Sequence, residues 1–239
     1  MHKERSYRNW VKTEDLVRFE VVEAQTDLLI SASKNLERQA RALVLTYRKE
    51  IESYIKKDPF FYTSLEPVKI DEDAPDIVKA MAEASRKAQV GPMAAVAGAV
   101  AEFVGRDLLA SSDEVIVENG GDIFIKTSKL RTIGIYAGED SPFTGKLALE
   151  IESKGAGIGV CTSSGTVSHS LSFGKSDAAL IISPDTALAD AVATATGNIL
   201  KNQDDTEKAI NFARSIKGVI GVLVIFKNKM GSWGEIKLA

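Results

Sequence analysis

"EVIVENGGDIFIK" (Glu114–Lys126) decides how this chain folds. Two β-branched runs flank a Gly-Gly pair, and glycine accepts the positive φ that a two-residue hairpin loop demands. The stretch therefore reads as strand, tight turn, strand. A second such pair lies upstream, where "LVRFEVVEA" (Leu16–Ala24) and "TDLLISAS" (Thr26–Ser33) alternate and turn near Gln25 and Thr26. Neighbouring strands joined this tightly must be antiparallel.

Between the hairpins the period changes. In "KNLERQARALVLTYRKEIESYIKKD" (Lys34–Asp58) the apolar positions Leu36, Ala40, Leu43, Tyr47, Ile51 and Tyr54 step by three and four, the stripe of an amphipathic helix. "DPFFYTSLEPVKIDEDAPD" (Asp58–Asp76), with its prolines and acidic cluster, reads as a loop. Pro75 suits the first turn of a helix over 76–89. A further helix is expected over 91–109, with Pro92 near its start and Ala and Gly positions that permit close packing. Beyond Lys126, strands are expected at 131–137, 146–153, 157–163 and 178–183, and helices over 185–202 and 205–218. "VIGVLVIFKN" and "WGEIKLA" should form a closing strand pair. Strand pairs precede and follow the helices instead of alternating with them, so the class is α+β with an antiparallel sheet.

Composition sets the remaining bounds. At 239 residues, 44% hydrophobic and 26% charged, the chain resembles an ordinary globular protein with a full core. The net charge of -3 and the dispersed Lys and Arg give no electrostatic surface for nucleic acid. A single cysteine excludes an internal disulfide framework. The N-terminal "MHKERSYRNWVKTEDL" lacks a continuous apolar segment, and "VGPMAAVAGAVAEFVG" is too short for a membrane span, so a cytoplasmic protein is expected. Exposed strand edges and the small-residue helix leave a homo-oligomer open.

Candidate chemistry gathers in a few segments. In "ENGGD" (Glu118–Asp122) the diglycine serves a turn, but its bare backbone also suits a ligand rimmed by Asn119, Gly120, Gly121 and Asp122. "GAGIGVCTSSGT" (Gly155–Thr166) offers glycines and hydroxyls, among them Thr162, Ser163 and Gly165, that suit a phosphate or a flat polar ligand. It also holds Cys161, eight positions before His169. A Cys–His pair can form a thiolate nucleophile, and a lone cysteine is as readily a small buried hydrophobe. Lys175 could meet an anion or simply be solvated. Asp190 and Thr194, four apart in "ADAVATATGN", share a helix face; they are either hard oxygen ligands for Mg²⁺ or a surface carboxylate near a helix N-terminus.

Taken in order, "VAGAVAEFVG", "ENGGDI", "TSSG" and "LADAVATA" resemble the motifs of the ApbE-type flavin transferases, which move FMN from FAD to a protein threonine using Mg²⁺. The likeness spans roughly Gly91 to Leu200. It implies a T-fold-like, pseudo-duplicated architecture in one domain over 1–239, with halves of about 1–110 and 111–239. It also implies a flavin nucleotide and Mg as cofactors, the latter at Asp190 and Thr194. Two departures stand out: Ala97 replaces the expected lysine, and "AALIISPDT" replaces a histidine-bearing segment.

With "RNW", "TDLLISA", "GVCTSSGT" and "SHSLSFGKSDA" added, the chain is similar to a smaller ApbE-like family of methanogenic archaea and some bacteria. That resemblance implies a part in anaerobic homocysteine formation, in which sulfur enters aspartate semialdehyde. Flavin transfer would then be lost, Cys161 would be the chemical residue, and partner proteins would supply sulfur. Two alternatives follow from the same likeness: a flavin- or nucleotide-binding protein without catalysis, and a divergent Mg-dependent FMN transferase.

Overall fold

The computed structural model describes residues 13, 15–138, 141–153, 155–164 and 177–239. The chain opens with a hairpin, β1 (Val17–Glu23) and β2 (Thr26–Ala32), turning at Ala24 and Gln25. Then come α1 (Glu37–Lys57), the single turn α2 (Phe60–Thr63) and α3 (Asp76–Ala88). A 3-10 turn at Pro92–Ala95 leads into α4 (Val96–Leu108). The diglycine hairpin is β3 (Val115–Asn119) and β4 (Asp122–Lys126), with Gly120 and Gly121 at φ 67° and 107°. β5 (Arg131–Gly134), β6 (Ala148–Ile151), β7 (Ile158–Ser163) and β8 (Ala178–Ser183) follow. The chain closes with α5 (Thr186–Ile199), α6 (Thr206–Ser215), β9 (Gly221–Phe226) and β10 (Lys229–Gly234).

β1-β2-β3-β4-β7-β8-β9-β10 form an eight-stranded sheet, antiparallel throughout, and β5 pairs with β6 alone. The helices cover one face of the large sheet; β5 and β6 cover part of the other. Period-2 geometry splits each central strand between two cores. Val117, Phe124, Cys161, Ile181 and Val224 face the helices, while Ile116, Ile125, Val160, Leu180 and Ile225 face the small sheet. Burial on both faces explains why "AALIIS" and "GVLVIF" show no polar alternation.

The expected α+β class holds, with corrections in detail. A one-turn helix, α2, interrupts the proline-rich loop, begun where Asp58 Oδ1 accepts from Phe60 N at 3.0 Å. The final strand pair turns at Lys227 and Asn228, so its second strand runs over 229–234 instead of the expected 233–239. Residues 235–239 instead cross to β6, where Leu149 bridges Leu238. The order strand pair, helices, strand pair occurs over 17–126 and again over 158–234. Among the described residues no single helix is long and apolar enough to cross a membrane.

The small sheet is tied to the large one by a buried guanidinium. Arg131, 5% exposed, bonds Glu114 at 2.6 Å and also meets Asp15. Burial alone would raise the Glu114 pKa, yet hydrogen bonds from Ser128, Arg131 and Thr127 hold it down at about 2. A carboxylate depressed in the native state stabilises above its unfolded pKa of about 4.3 and loses that contribution as pH falls through the folded value. Acid unfolding between about pH 4.5 and 2 should therefore be shallower for Glu114→Gln than for the wild type. Chemical denaturation across that range checks this, and parallel acid limbs would show that the network is not the acid-sensitive element.

Candidate functional site

The site forms where the start of α4, the start of α5 and the β4–β7 pair meet. α4 brings no side-chain cap of its own, although a helix start exposes N–H groups with no intrahelical partner. Asp190, one turn into α5, fills the gap: its Oδ2 accepts from Gly98 N at 2.8 Å. In return Glu102, one turn along α4, caps α5. Its Oε2 accepts from Thr186 N at 2.7 Å and Ala187 N at 3.2 Å, while Asp185 takes Leu188 N at 2.8 Å. Each helix thus carries the carboxylate that caps the other, and the two run past each other in opposite directions.

Glycine makes this approach possible. A Cβ at Gly98 would lie 2.4 Å from Thr186 O and 2.7 Å from Asp190 Cβ, and one at Gly159 would lie 2.6 Å from Thr186 Cα. Thr186 is therefore pressed between α4 and β7. Its carbonyl also accepts from the Cys161 thiol at 3.4 Å. The diglycine hairpin reaches the same place, because Asn119 Nδ2 donates to Ala97 O at 3.0 Å. Gly121 N is satisfied by Glu118 Oε1 at 2.9 Å.

Asp122 completes the centre. It is paired in register with Cys161 across β4 and β7, both side chains face the helices, and its Oδ1 is buried without a hydrogen-bond partner. Burial, then the neighbouring Asp190, push the Asp122 carboxyl well above its ordinary range, against the opposing pull of the Cys161 thiol and Thr162 N–H. Burial likewise lifts Asp190 to about 7, with the Gly98 and Ala97 N–H groups pulling the other way. Carboxylates, a thiol and backbone N–H groups set the protonation of this pair.

The expected site residues fare differently. Asn119, Asp122, Cys161 and Asp190 converge, Gly121 lies beside Thr162, and Thr194 is half-buried one turn beyond Asp190. The expectation for Thr162 and Ser163 is a phosphate-cradling loop. They belong instead to the end of β7, where β8 alone pairs with them, Thr162 with Leu180 and Ser163 with Ala179; the β4 pairing stops at Asp122 and Cys161, and the Thr162 N–H serves the Asp122 carboxyl. Gly120 is explained by its turn alone, since nothing lies within 4 Å of a Cβ built there, while a Cβ at Gly121 would stand 3.7 Å from Thr162 O. Gly165, His169 and Lys175 fall outside the described residues. The thiolate expected of Cys161 meets an opposing environment: the side chain is fully buried, and burial, then Asp122 and Asp190, push its pKa well up. Glu102 and Gly98 do not stand out in the sequence, although their four-residue spacing in "GAVAE" is a signal for a shared helix face.

Among the described residues no group of three or more His, Cys, Asp and Glu side chains is arranged to hold a metal ion. Asp190 with the Thr194 hydroxyl nonetheless fits a hard cation that draws its remaining ligands from phosphate and water. The unpartnered Asp122 oxygen and the repulsion between the two carboxyls would both be relieved by such a cation, or by a proton. Two grooves of about 520 Å³, one between α1 and the start of α3 and one between α6 and β10, lie away from this centre.

This architecture is that of the ApbE-type proteins. The flavinyl transferase ApbE of Pseudomonas stutzeri superposes with a TM-score of 0.63 at 14% identity, covering 92% of this chain and 94% of that one. The ApbE protein of Thermotoga maritima gives 0.60 at 15% identity, covering 90% and 96%. At that identity the likeness concerns the fold. In sequence, a family model described as AbpE bacteria matches residues 8–232. The UPF0280 protein of Methanocaldococcus jannaschii is 41% identical over 222 residues, 90% of each chain. That of Methanocella arvoryzae is 45% identical over 190 residues, 79% of this chain and 77% of its own. The chain therefore belongs to the AbpE/UPF0280 family of ApbE-like proteins.

The acidic pair makes a signed prediction. A carboxyl whose folded pKa stands above its unfolded value of about 3.9 contributes most below that value, and the contribution is lost as pH rises through the folded pKa. With EDTA present, Asp190→Asn should gain on the wild type in Tm by several degrees between about pH 4 and 7. Calorimetry across that range tests it, and a constant Tm difference would mean that Asp190 is not held protonated by burial.

Proposed function

We propose that this ApbE-family chain has given up flavin transfer and acts in the incorporation of sulfur into aspartate semialdehyde to form homocysteine. The observation that carries the first part is the state of the α4 N-terminus. Where the ApbE pattern has lysine this chain has Ala97, whose carbonyl is held by Asn119 while the adjacent Gly98 N–H is held by Asp190. That position thus offers no cation to a leaving phosphate, and its Gly98 N–H is already taken by Asp190; electrostatic stabilisation of that kind supplies much of the rate acceleration in such a transfer.

The sulfur role rests on the family resemblance and is supported by where the only thiol lies. Cys161 sits opposite Asp122 at the centre of the site. In this reading the site first opens to expose the buried Cys161; Asp122, in its ionised form, then takes the thiol proton, and the thiolate attacks the terminal sulfur of a persulfide on a partner protein. That sulfur becomes bonded to Cys161 and the partner's thiolate leaves. Cys161 persulfide plus aldehyde plus four electrons and four protons gives Cys161 thiol, product thiol and water: two electrons free the outer sulfur as hydrogen sulfide and two reduce the aldehyde carbon, so a reduced flavin or an electron-transfer partner must supply both pairs.

A second reading, binding of a flavin nucleotide with Mg²⁺ but without transfer, is favoured by the Asp190–Thr194 pair and the unpartnered Asp122 oxygen. Flavin or another nucleotide identified by mass spectrometry in the purified protein would speak for it.

In a strain lacking the protein, Cys161→Ser should fail to restore sulfide-dependent growth without homocysteine or methionine, while the wild type restores it. Normal growth with Cys161→Ser would remove the sulfur-carrier role. The purified protein, given FAD, Mg²⁺ and a threonine acceptor peptide, should attach no FMN, and attachment would restore the transferase reading.

A further inference from the structure

We propose that Glu102 is the positioning residue of this site: its carboxylate fixes the first turn of α5, and through that turn it places both Asp190 and the Cys161 thiol. The inference rests on the reading that Asp190 and Cys161 form the functional centre, and it adds a residue that touches neither of them.

Four contacts carry it. Glu102 is 4% exposed, and its Oε2 takes two of the N–H groups that the first turn of α5 leaves without helical partners. Its other oxygen pairs with Arg106, one turn along α4 and half exposed. Thr186, whose N–H Glu102 holds, presents its carbonyl to the Cys161 thiol at 3.4 Å. Asp190 stands one turn after Thr186 on the same face and returns to Gly98, one turn before Glu102. The four positions make a closed rectangle, Gly98 and Glu102 on α4 facing Asp190 and Thr186 on α5. Gly98 and Gly159 keep its floor free of side chains.

Release of the Glu102 corner leaves two buried N–H groups unpaired, a loss relieved only if α5 shifts its first turn to find water. Such a shift carries the Thr186 carbonyl away from Cys161 and lifts Asp190 from the α4 start. A glutamine keeps the accepting oxygen and loses the charge, so geometry should survive Glu102→Gln and fail in Glu102→Ala.

The single cysteine supplies a direct readout. Full-length wild type, Glu102→Gln and Glu102→Ala are labelled with a thiol-specific disulfide reagent in EDTA, with and without sub-denaturing urea, and thermal melts confirm folding. Glu102→Ala should label about tenfold faster or more, at a rate independent of urea, and Glu102→Gln within about threefold of wild type, as expected when hydrogen bonds to a charged group are lost or retained. A folded Glu102→Ala that labels at the wild-type rate, or only in proportion to urea-driven global opening, overturns the proposal. Should that variant not fold, Glu102→Asp replaces it: faster labelling than Glu102→Gln supports the proposal and equal labelling overturns it.

Mn²⁺ binding followed by electron paramagnetic resonance gives a separate arm, with affinity expected to fall about tenfold in Glu102→Ala. If the wild type binds no Mn²⁺, the metal reading of Asp190 fails while the labelling result still judges Glu102.

Discussion

The exchange of carboxylates between α4 and α5 is the constraint on which the site depends. A helix start is normally satisfied by its own N-cap side chain; α4 has none, and Asp190 reaches over from α5 to serve it while Glu102 serves α5 in return. Hydrogen bonds to a charged group contribute about 1.5–3 kcal/mol each, and burying the carboxylates costs an amount of similar size. Little net stability follows. What the exchange supplies is definition, since only one relative placement of the two helices satisfies both ends at once. Gly98 and Gly159 allow that placement by letting Thr186 close against α4 and β7 together.

Held this way, the centre is electrostatically incomplete. Asp122 and Asp190 are each 8% exposed, each is pushed toward its neutral form, and one Asp122 oxygen has no partner. The lysine that the ApbE pattern would place beside them is Ala97. A proton, a hard cation or a cationic part of a ligand can complete such a pair, and each would loosen or tighten the Asp190 cap on α4. Ligand chemistry and helix placement are therefore linked through one carboxylate. Burial first, and then the neighbouring Asp122 and Asp190, push the adjacent Cys161 thiol toward its protonated form.

Much of the fold is legible from local signals. Gly120 and Gly121 announce a two-residue turn, the three-and-four spacing announces α1, and the order of hairpins and helices announces an antiparallel sheet. What cannot be read is pairing at a distance. "RTIGIYA" and "KLALEIES" look like any other strands, yet they pair only with each other and pack as a separate layer over a second apolar core, with Arg131 reaching Glu114 and Asp15. Residues 235–239 read as a closing strand, although their bridging partner is β6, far away in the sequence. At the site, Asp122, Cys161 and Asp190 stand out by residue type. Thr162 and Ser163 mislead in part, because Ser, Thr and Gly content resembles a loop even where one neighbouring strand, β8, pairs with the backbone. Glu102 is silent, since a glutamate on a helix is ordinarily solvated and only the packing of α5 shows that this one is buried.

The most direct measurement of the shared junction is a double-mutant cycle on unfolding free energy with Glu102→Ala, Asp190→Ala and the double variant. If the two carboxylates secure one junction, the losses should fall short of or exceed additivity by about 1 kcal/mol or more, as for residues of one hydrogen-bonded network. Additivity to within about 0.3–0.5 kcal/mol would mean that the two helix ends are held independently, and the common centre of Asp122, Cys161 and Asp190 would lose its support.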